Sequence, residues 1–241
     1  MRNFLSNVAG GIVASIIFLL INIGYDFFQK HKFYNLFYGL SFMEFLKEKI
    51  LSKDKLQKKG ISLSYNELVN LDPSGKKYNL PKKGLPGTFF GPTNIAGTCE
   101  IRAINYLSTA FSKNDVGTTI CDDNNLNIEP FIIALGSKNR YAVSIMARLG
   151  LVINNILTPY GSSHGDCGLI IFGTTTSESI EIVCAGLTET GTSASAYYLA
   201  SHWKEILKAR DEKGITPNCP FYIVVQTPSD QEATKLDCVK I

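Results

Sequence analysis

The chain has 241 residues, of which 45% are hydrophobic and 19% charged, and its formal net charge is +3. That balance excludes a disordered polymer, and so small a charge excludes a surface built to coat nucleic acid, so no nucleic acid is expected as a partner. The six cysteines (Cys99, Cys121, Cys167, Cys184, Cys219, Cys238) are scattered without a Cys-x-x-Cys pair, which points to reduced, structural thiols and assigns no metal.

Residues 8–25 hold no ionisable group before Tyr25, and Phe4, Phe27 and Phe28 extend the apolar run toward the ~20 residues that span a hydrocarbon core. Apolar side chains on every face argue against a buried core helix. The stretch after the run lacks the small-residue pattern of a cleaved signal peptide. Residues 1–30 therefore read as a single-pass transmembrane helix. Lys30 and Lys32, then Lys47, Lys49 and Lys53, outweigh Arg2 on the other side. This asymmetry places the C-terminal body on the cytoplasmic side of the inner membrane, with the lipid bilayer as partner. Gly10-x-x-x-Ala14 and Gly11-x-x-x-Ser15 would let two such helices form a homo-oligomer, although small residues are also ordinary in a span.

Residues 31–86 read as a membrane-proximal segment. Phe42, Met43, Phe45, Leu46, Ile50, Leu51 and Leu56 alternate with charged residues at helical spacing, predicting an amphipathic helix over residues 40–59 that lies on anionic lipid or packs on the domain. Gly60 closes it, and the turn-rich stretches 72–77 and 80–87 mark a linker.

From residue 87 to 241 strands and helices alternate. Strands are predicted at 88–90, 116–121, 131–135, 167–172, 180–185 and 221–225, with an edge strand over 233–241. The short polar gap 173–179 predicts an antiparallel hairpin, and helices are predicted over 99–112, 141–149 and 194–209. The fold class is α/β: a three-layer, Rossmann-like domain with a mixed, mostly parallel sheet behind an N-terminal transmembrane helix.

Three loops rich in Gly, Ser, Thr and Asn fall where strands give way to helices. Thr93 and Asn94 lie in the first, Gly136, Ser137 and Asn139 in the second, and Gly186, Thr188, Thr190, Gly191, Thr192 and Ser193 in the third. Free amides and the helix dipole gather at such junctions and favour an anion, so these residues are the candidate ligand-binding set. The same residue types also serve as ordinary turns and N-caps. None of the loops is a Walker or a GxGxxG motif, so no cofactor is assigned.

Two runs carry a resemblance. Phe131-Ile-Ile-Ala-Leu-Gly-Ser-Lys-Asn139 and residues 182–199, with Ala185-Gly186 leading into Gly191-Thr192 and Ala194, resemble a widespread prokaryotic α/β domain. That domain is similar in outline to the Rossmann-like sensor domains that bacteria attach to membrane anchors. The resemblance covers about half the chain and implies sensing of a nucleotide-like ligand. Ser137 stands where the pattern allows a second glycine, and Lys138 where proline is expected. No catalytic residue carries over.

For chemistry, Glu189 is a candidate general base or ribose ligand, with a first-turn carboxylate on the helix dipole as the plainer reading. His164, in the stretch Tyr160-Gly-Ser-Ser-His-Gly-Asp-Cys167, is a second candidate beside a thiol, against a plain polar turn. The leading expectation is a membrane-tethered nucleotide sensor. The alternatives are a hydrolase acting on the same ligand through Glu189 or His164, and a non-catalytic membrane scaffold.

Overall fold

The structure, a computed structural model, describes residues 2–51, 60–65, 88–90, 95–123, 131–164, 166–175, 179–229 and 232–241. Its first helix changes surroundings part-way along. Helix α1 (Arg2–Tyr38) runs unbroken for 37 residues. Ile17, Phe18, Leu19, Leu20 and Ile21 are all more than half exposed. At 100° per residue these five consecutive positions cover the whole circumference. By contrast Phe33, Tyr34, Leu36, Phe37 and Tyr38 are at most 1% exposed. Among the described residues no single helix is long and apolar enough to cross a membrane. The side chains of residues 2–14 and 16 lie outside those described, so the expected span is described there only in its helical backbone.

Gly39, at φ +63°, ends α1 in the left-handed region that favours glycine. Helix α2 (Phe42–Leu51) follows. Ser41 and Glu44 start it with a reciprocal capping box: the Ser41 amide donates to Glu44 Oε2 at 2.8 Å and the Glu44 amide to Ser41 Oγ at 3.3 Å. The remainder of the expected helix, residues 52–59, lies outside the described residues.

The main sheet has seven strands in the order β4-β1-β5-β7-β6-β8-β9. They are β1 (Ile61–Tyr65), β4 (Thr118–Asp122), β5 (Phe131–Leu135), β6 (Asp166–Thr175), β7 (Ile180–Gly186), β8 (Phe221–Ser229) and β9 (Glu232–Lys240). Pairing is parallel from β4 through β1 and β5 to β7, and antiparallel from β7 through β6 and β8 to β9. The sheet is thus mixed and α/β as expected, but parallel only at one end. The expected β6–β7 hairpin is present, with Ile170 opposite Cys184. Strand β1 lies inside the stretch read as a membrane-proximal linker, yet it pairs with both β4 and β5.

Strand residues alternate between two cores. Phe131, Ile133, Leu135, Ile182, Cys184, Ile170, Phe172, Ile223 and Val225 face one, together with α1, α2, α3 (Thr98–Ser112), α6 (Glu189–Ser201) and α7 (Trp203–Glu212). Ala134, Val183, Ala185, Leu169, Ile171 and Val224 face the other, with α4 (Arg140–Arg148) and α5 (Ile153–His164). This period-two division gives three layers.

The expected single helix over 194–209 is two helices, broken at His202. Its ring stacks on Tyr198 at 4.8 Å and its Nδ1 lies 2.9 Å from Glu205 Oε1. The polar stretch at 160–164, read as a turn, is the last part of α5.

Candidate functional site

Strands β1 and β5 are neighbours, but the next helix after β1 among the described residues, α3, packs on one face of the sheet and the helix after β5, α4, on the other. Such a change of face opens a crevice at the strand C-termini, where open parallel sheets hold their ligands. Here Asn139 closes it. Fully buried, it accepts from the amides of Tyr141 and Ala142 at 3.0 and 3.3 Å. Its Nδ2 donates to the Ser64 carbonyl at 3.1 Å and to Ser64 Oγ at 3.0 Å. The Arg140 amide donates to Asp123 Oδ2 at 3.0 Å. The first three amides of α4 are therefore satisfied by the chain's own acceptors, one of them a carboxylate in the place an anion would take.

Gly136 holds φ +89°, and a Cβ there would meet Glu100 Oε1 at 3.1 Å. Glu100 and Asp123 are both buried, so this end of the sheet has an acidic floor. Ser137 is half-buried and Lys138 exposed.

The third loop lies at the same end of the neighbouring strand, and the Gly136 amide donates to the Cys184 carbonyl at 2.9 Å. Its glycines are close-packing devices. A Cβ on Gly186 would stand 2.5 Å from the Gly191 backbone, and one on Gly191 2.5 Å from the Cys167 carbonyl oxygen. Gly168 completes the contact, since a Cβ on it would lie 2.6 Å from the Gly191 oxygen. The start of α6 is thereby pressed onto β6 and β7. Gly191, Thr192 and Ser193 are buried and withdrawn from any ligand, whereas Thr188 and Glu189 are exposed and Thr190 half-buried.

Unlike α4, helix α6 keeps an open start. Thr188 is its N-cap but makes no side-chain cap bond. Its hydroxyl donates instead to Asp166 Oδ2, while Asp166 Oδ1 accepts from the Cys167 amide at 2.9 Å. The Thr192 amide returns to the Thr188 carbonyl at 3.3 Å, and among the described residues the amides of 189–191 have no acceptor.

Thr93 and Asn94 lie outside the described residues, and the chain on either side pairs as a separate hairpin of β2 (Thr88–Phe90) and β3 (Ile95–Gly97). A cavity of about 520 Å³ opens elsewhere, between α3, α6 and α7, and none of the loop residues lines it.

For the chemical candidates, the backbone of His164 ends α5 and its side chain lies outside those described. Cys167 is buried, and burial, then the negative charge of Asp166, push its thiol up, away from the thiolate a nucleophile requires. Glu189 stands exposed in the first turn of α6. Among the described residues no group of three or more His, Cys, Asp or Glu residues is placed to hold a metal ion.

Sequence reading missed Glu100, Asp123 and Ser64 as parts of this end of the sheet. The available signals were a first-turn carboxylate on α3 and an Asp-Asp pair ending β4.

No protein-family model, curated protein or solved structure matches the chain. The likeness to membrane-anchored Rossmann-like sensors therefore rests on the two sequence runs alone.

Proposed function

We propose that this is a single-pass protein of the bacterial inner membrane whose cytoplasmic α/β domain senses a small nucleotide-like ligand. The observation that carries the membrane part is α1 itself. Large apolar side chains surround it from Ile17 to Ile21, with Ile23 and Tyr25 also exposed. In water each would leave ~1.5–3 kcal/mol of burial unrealised, and lipid supplies that burial. The ligand sits on the open start of α6, held by the amides of 189 and 190 and by Thr188 and Thr190, with Ser137 and Lys138 reaching from the neighbouring strand end. Glu189 accepts from ribose hydroxyls. The carboxylate of Asp166 beside Thr188 favours the hydroxyl-rich part of such a ligand over a run of phosphates.

Two measurements on the full chain test this. Alkaline extraction of membranes leaves an integral protein in the pellet, and release into the supernatant refutes the anchor. In detergent, a nucleotide at a hundred times its Kd adds about 2.7 kcal/mol, raising Tm by roughly 5–10 °C. The Thr188→Val, Thr190→Val double variant abolishes the rise. A panel of nucleosides and nucleotides that leaves Tm unmoved refutes the sensor reading.

A further inference from the structure

The cavity apart from the loops gains meaning from its position along α1. Lys30 Nζ contacts Asp26 at 3.3 Å and Asp115 at 2.8 Å, and Lys49 Nζ lies 3.7 Å from Asp115. Tyr34 OH donates to the Asn114 carbonyl at 3.1 Å, and the Phe33 ring meets Trp203 at 5.3 Å. The turn that ends α3 is thus held against the stretch of α1 from residue 26 to 34. Tyr25, the aromatic residue at the end of the exposed run, precedes Lys30 by five residues, about 7.5 Å of helix. The headgroup layer on one side of a bilayer is ~5–7 Å thick. This turn therefore stands at the outer edge of the headgroup layer, within the reach of a lysine side chain.

Helix α2 supports the same level. The Phe42 ring meets Phe27 at 6.3 Å and His31 at 5.1 Å, while seven residues on Lys49 reaches Asp115. The Phe45 ring also meets Phe27 and His31, so the start of α2 packs on the same stretch of α1, and its end reaches the turn that this stretch holds. Phe42 and Met43 are 45% and 62% exposed there, apolar side chains facing the interface.

The cavity opens beside this level. Lys113 and Lys204 line it with Trp203, Tyr106, Asn114 and Ser201, and among the described residues no acid lines it. Lys204 Nζ stands 5.5 Å from the Trp203 ring. Its ~520 Å³ lies in the range of ligand pockets. We infer that this cavity seats the phosphate headgroup of an anionic phospholipid, between Lys113 and Lys204 and against Trp203. The inference rests on the reading of α1 as a membrane span. Bilayer phosphates, unlike free ones, are delivered at this depth and at high local concentration.

Trp203 is the chain's single tryptophan and reports the site directly. The full chain is reconstituted into nanodiscs of phosphatidylcholine, with phosphatidylglycerol replacing it stepwise, while flotation with phosphatidylcholine vesicles measures insertion alone. Trp203 emission is expected to change and saturate with the phosphatidylglycerol fraction. In K113Q/K204Q the response weakens by roughly fivefold per lysine removed, with flotation unchanged. Failure to float refutes the anchor and the site with it. Flotation without any phosphatidylglycerol-dependent change in Trp203 refutes the site alone. A change produced equally by millimolar inorganic phosphate in pure phosphatidylcholine discs assigns the cavity to a free anion and overturns the lipid assignment.

Discussion

Asn139 and Ser64 meet across the line where helices leave the sheet for opposite faces, the amide of one donating to both the carbonyl (3.1 Å) and the hydroxyl (3.0 Å) of the other. One side chain thereby caps α4 and ties it to β1. Asn139→Ala removes an N-cap, worth ~0.5–2 kcal/mol, and leaves Ser64 groups unsatisfied in a buried place, ~1–3 kcal/mol more. Thermal unfolding of the full chain in detergent should show Tm lowered by roughly 5–10 °C. A loss under ~0.5 kcal/mol would show that water replaces both functions without cost.

The glycine triad makes a graded prediction. Gly191→Ala must move the Cys167 backbone, and Gly186→Ala the start of α6, because the added Cβ would lie 2.5 Å from main chain in each case. Each should cost about 1–3 kcal/mol by chemical unfolding. At Gly117 nothing lies within 4 Å of an added Cβ, so Gly117→Ala should be neutral or slightly stabilising. Equal effects at all three positions would show that the close approach of α6 to the sheet is not what these glycines serve.

The position of β1 predicts which fragments fold. Residues 26–241 keep Phe33, Tyr34, Phe37 and Tyr38 and the strand between β4 and β5, and should unfold cooperatively. Residues 87–241 lack all of these and should not. Within the full chain Phe33→Ala should cost about 3–5 kcal/mol, whereas Phe18→Ala, on the exposed half, should leave the unfolding of the domain unchanged. A cooperative transition for 87–241 would separate the core from α1.

The surroundings of His31 predict an acid-sensitive junction. Burial, then the nearby Lys32 charge, lower its pKa below the usual 6.5, among the rings of Phe28, Phe42 and Phe45. The unfolded chain binds this proton more readily than the folded one. The contribution is therefore fully present above about pH 6.5 and is lost as pH falls toward the folded value. The denaturation midpoint should drop between pH 7.5 and 5.5, and His31→Phe should flatten that slope. An unaltered slope in the variant would place the sensitivity elsewhere.

What the sequence disclosed follows from how each element is buried. Strands β5, β6, β7 and β8 are covered on both faces, so Phe131-Ile-Ile-Ala-Leu135 and its like are unbroken apolar runs that announce themselves. Strand β1 is equally covered, but Ser62 and Ser64 interrupt its pattern. The burial of Ser64 is tolerable because a distant Asn139 supplies its hydrogen bonds, which no local window contains. The aromatic residues from Phe33 to Tyr38 mimic an interfacial belt, and their contacts with Phe111, Trp203 and Phe131, distant in sequence, show them to be core. At the candidate site the residue types were visible and their use was not. Glycine for a ligand and glycine for a neighbouring main chain are spelled alike, and the acids Glu100 and Asp123 reach this end of the sheet separately, one from α3 beside Gly136 and one from the end of β4 onto the Arg140 amide.

Helix α1 has no break between its exposed length and the part that packs on one face of the sheet. A rod built into its load at one end delivers torque without slack. Any twist imposed on residues 17–25 turns Phe33 and Phe37 against Phe111 through the same angle, and two such rods locked side by side would hold their domains at a fixed azimuth rather than let them swing.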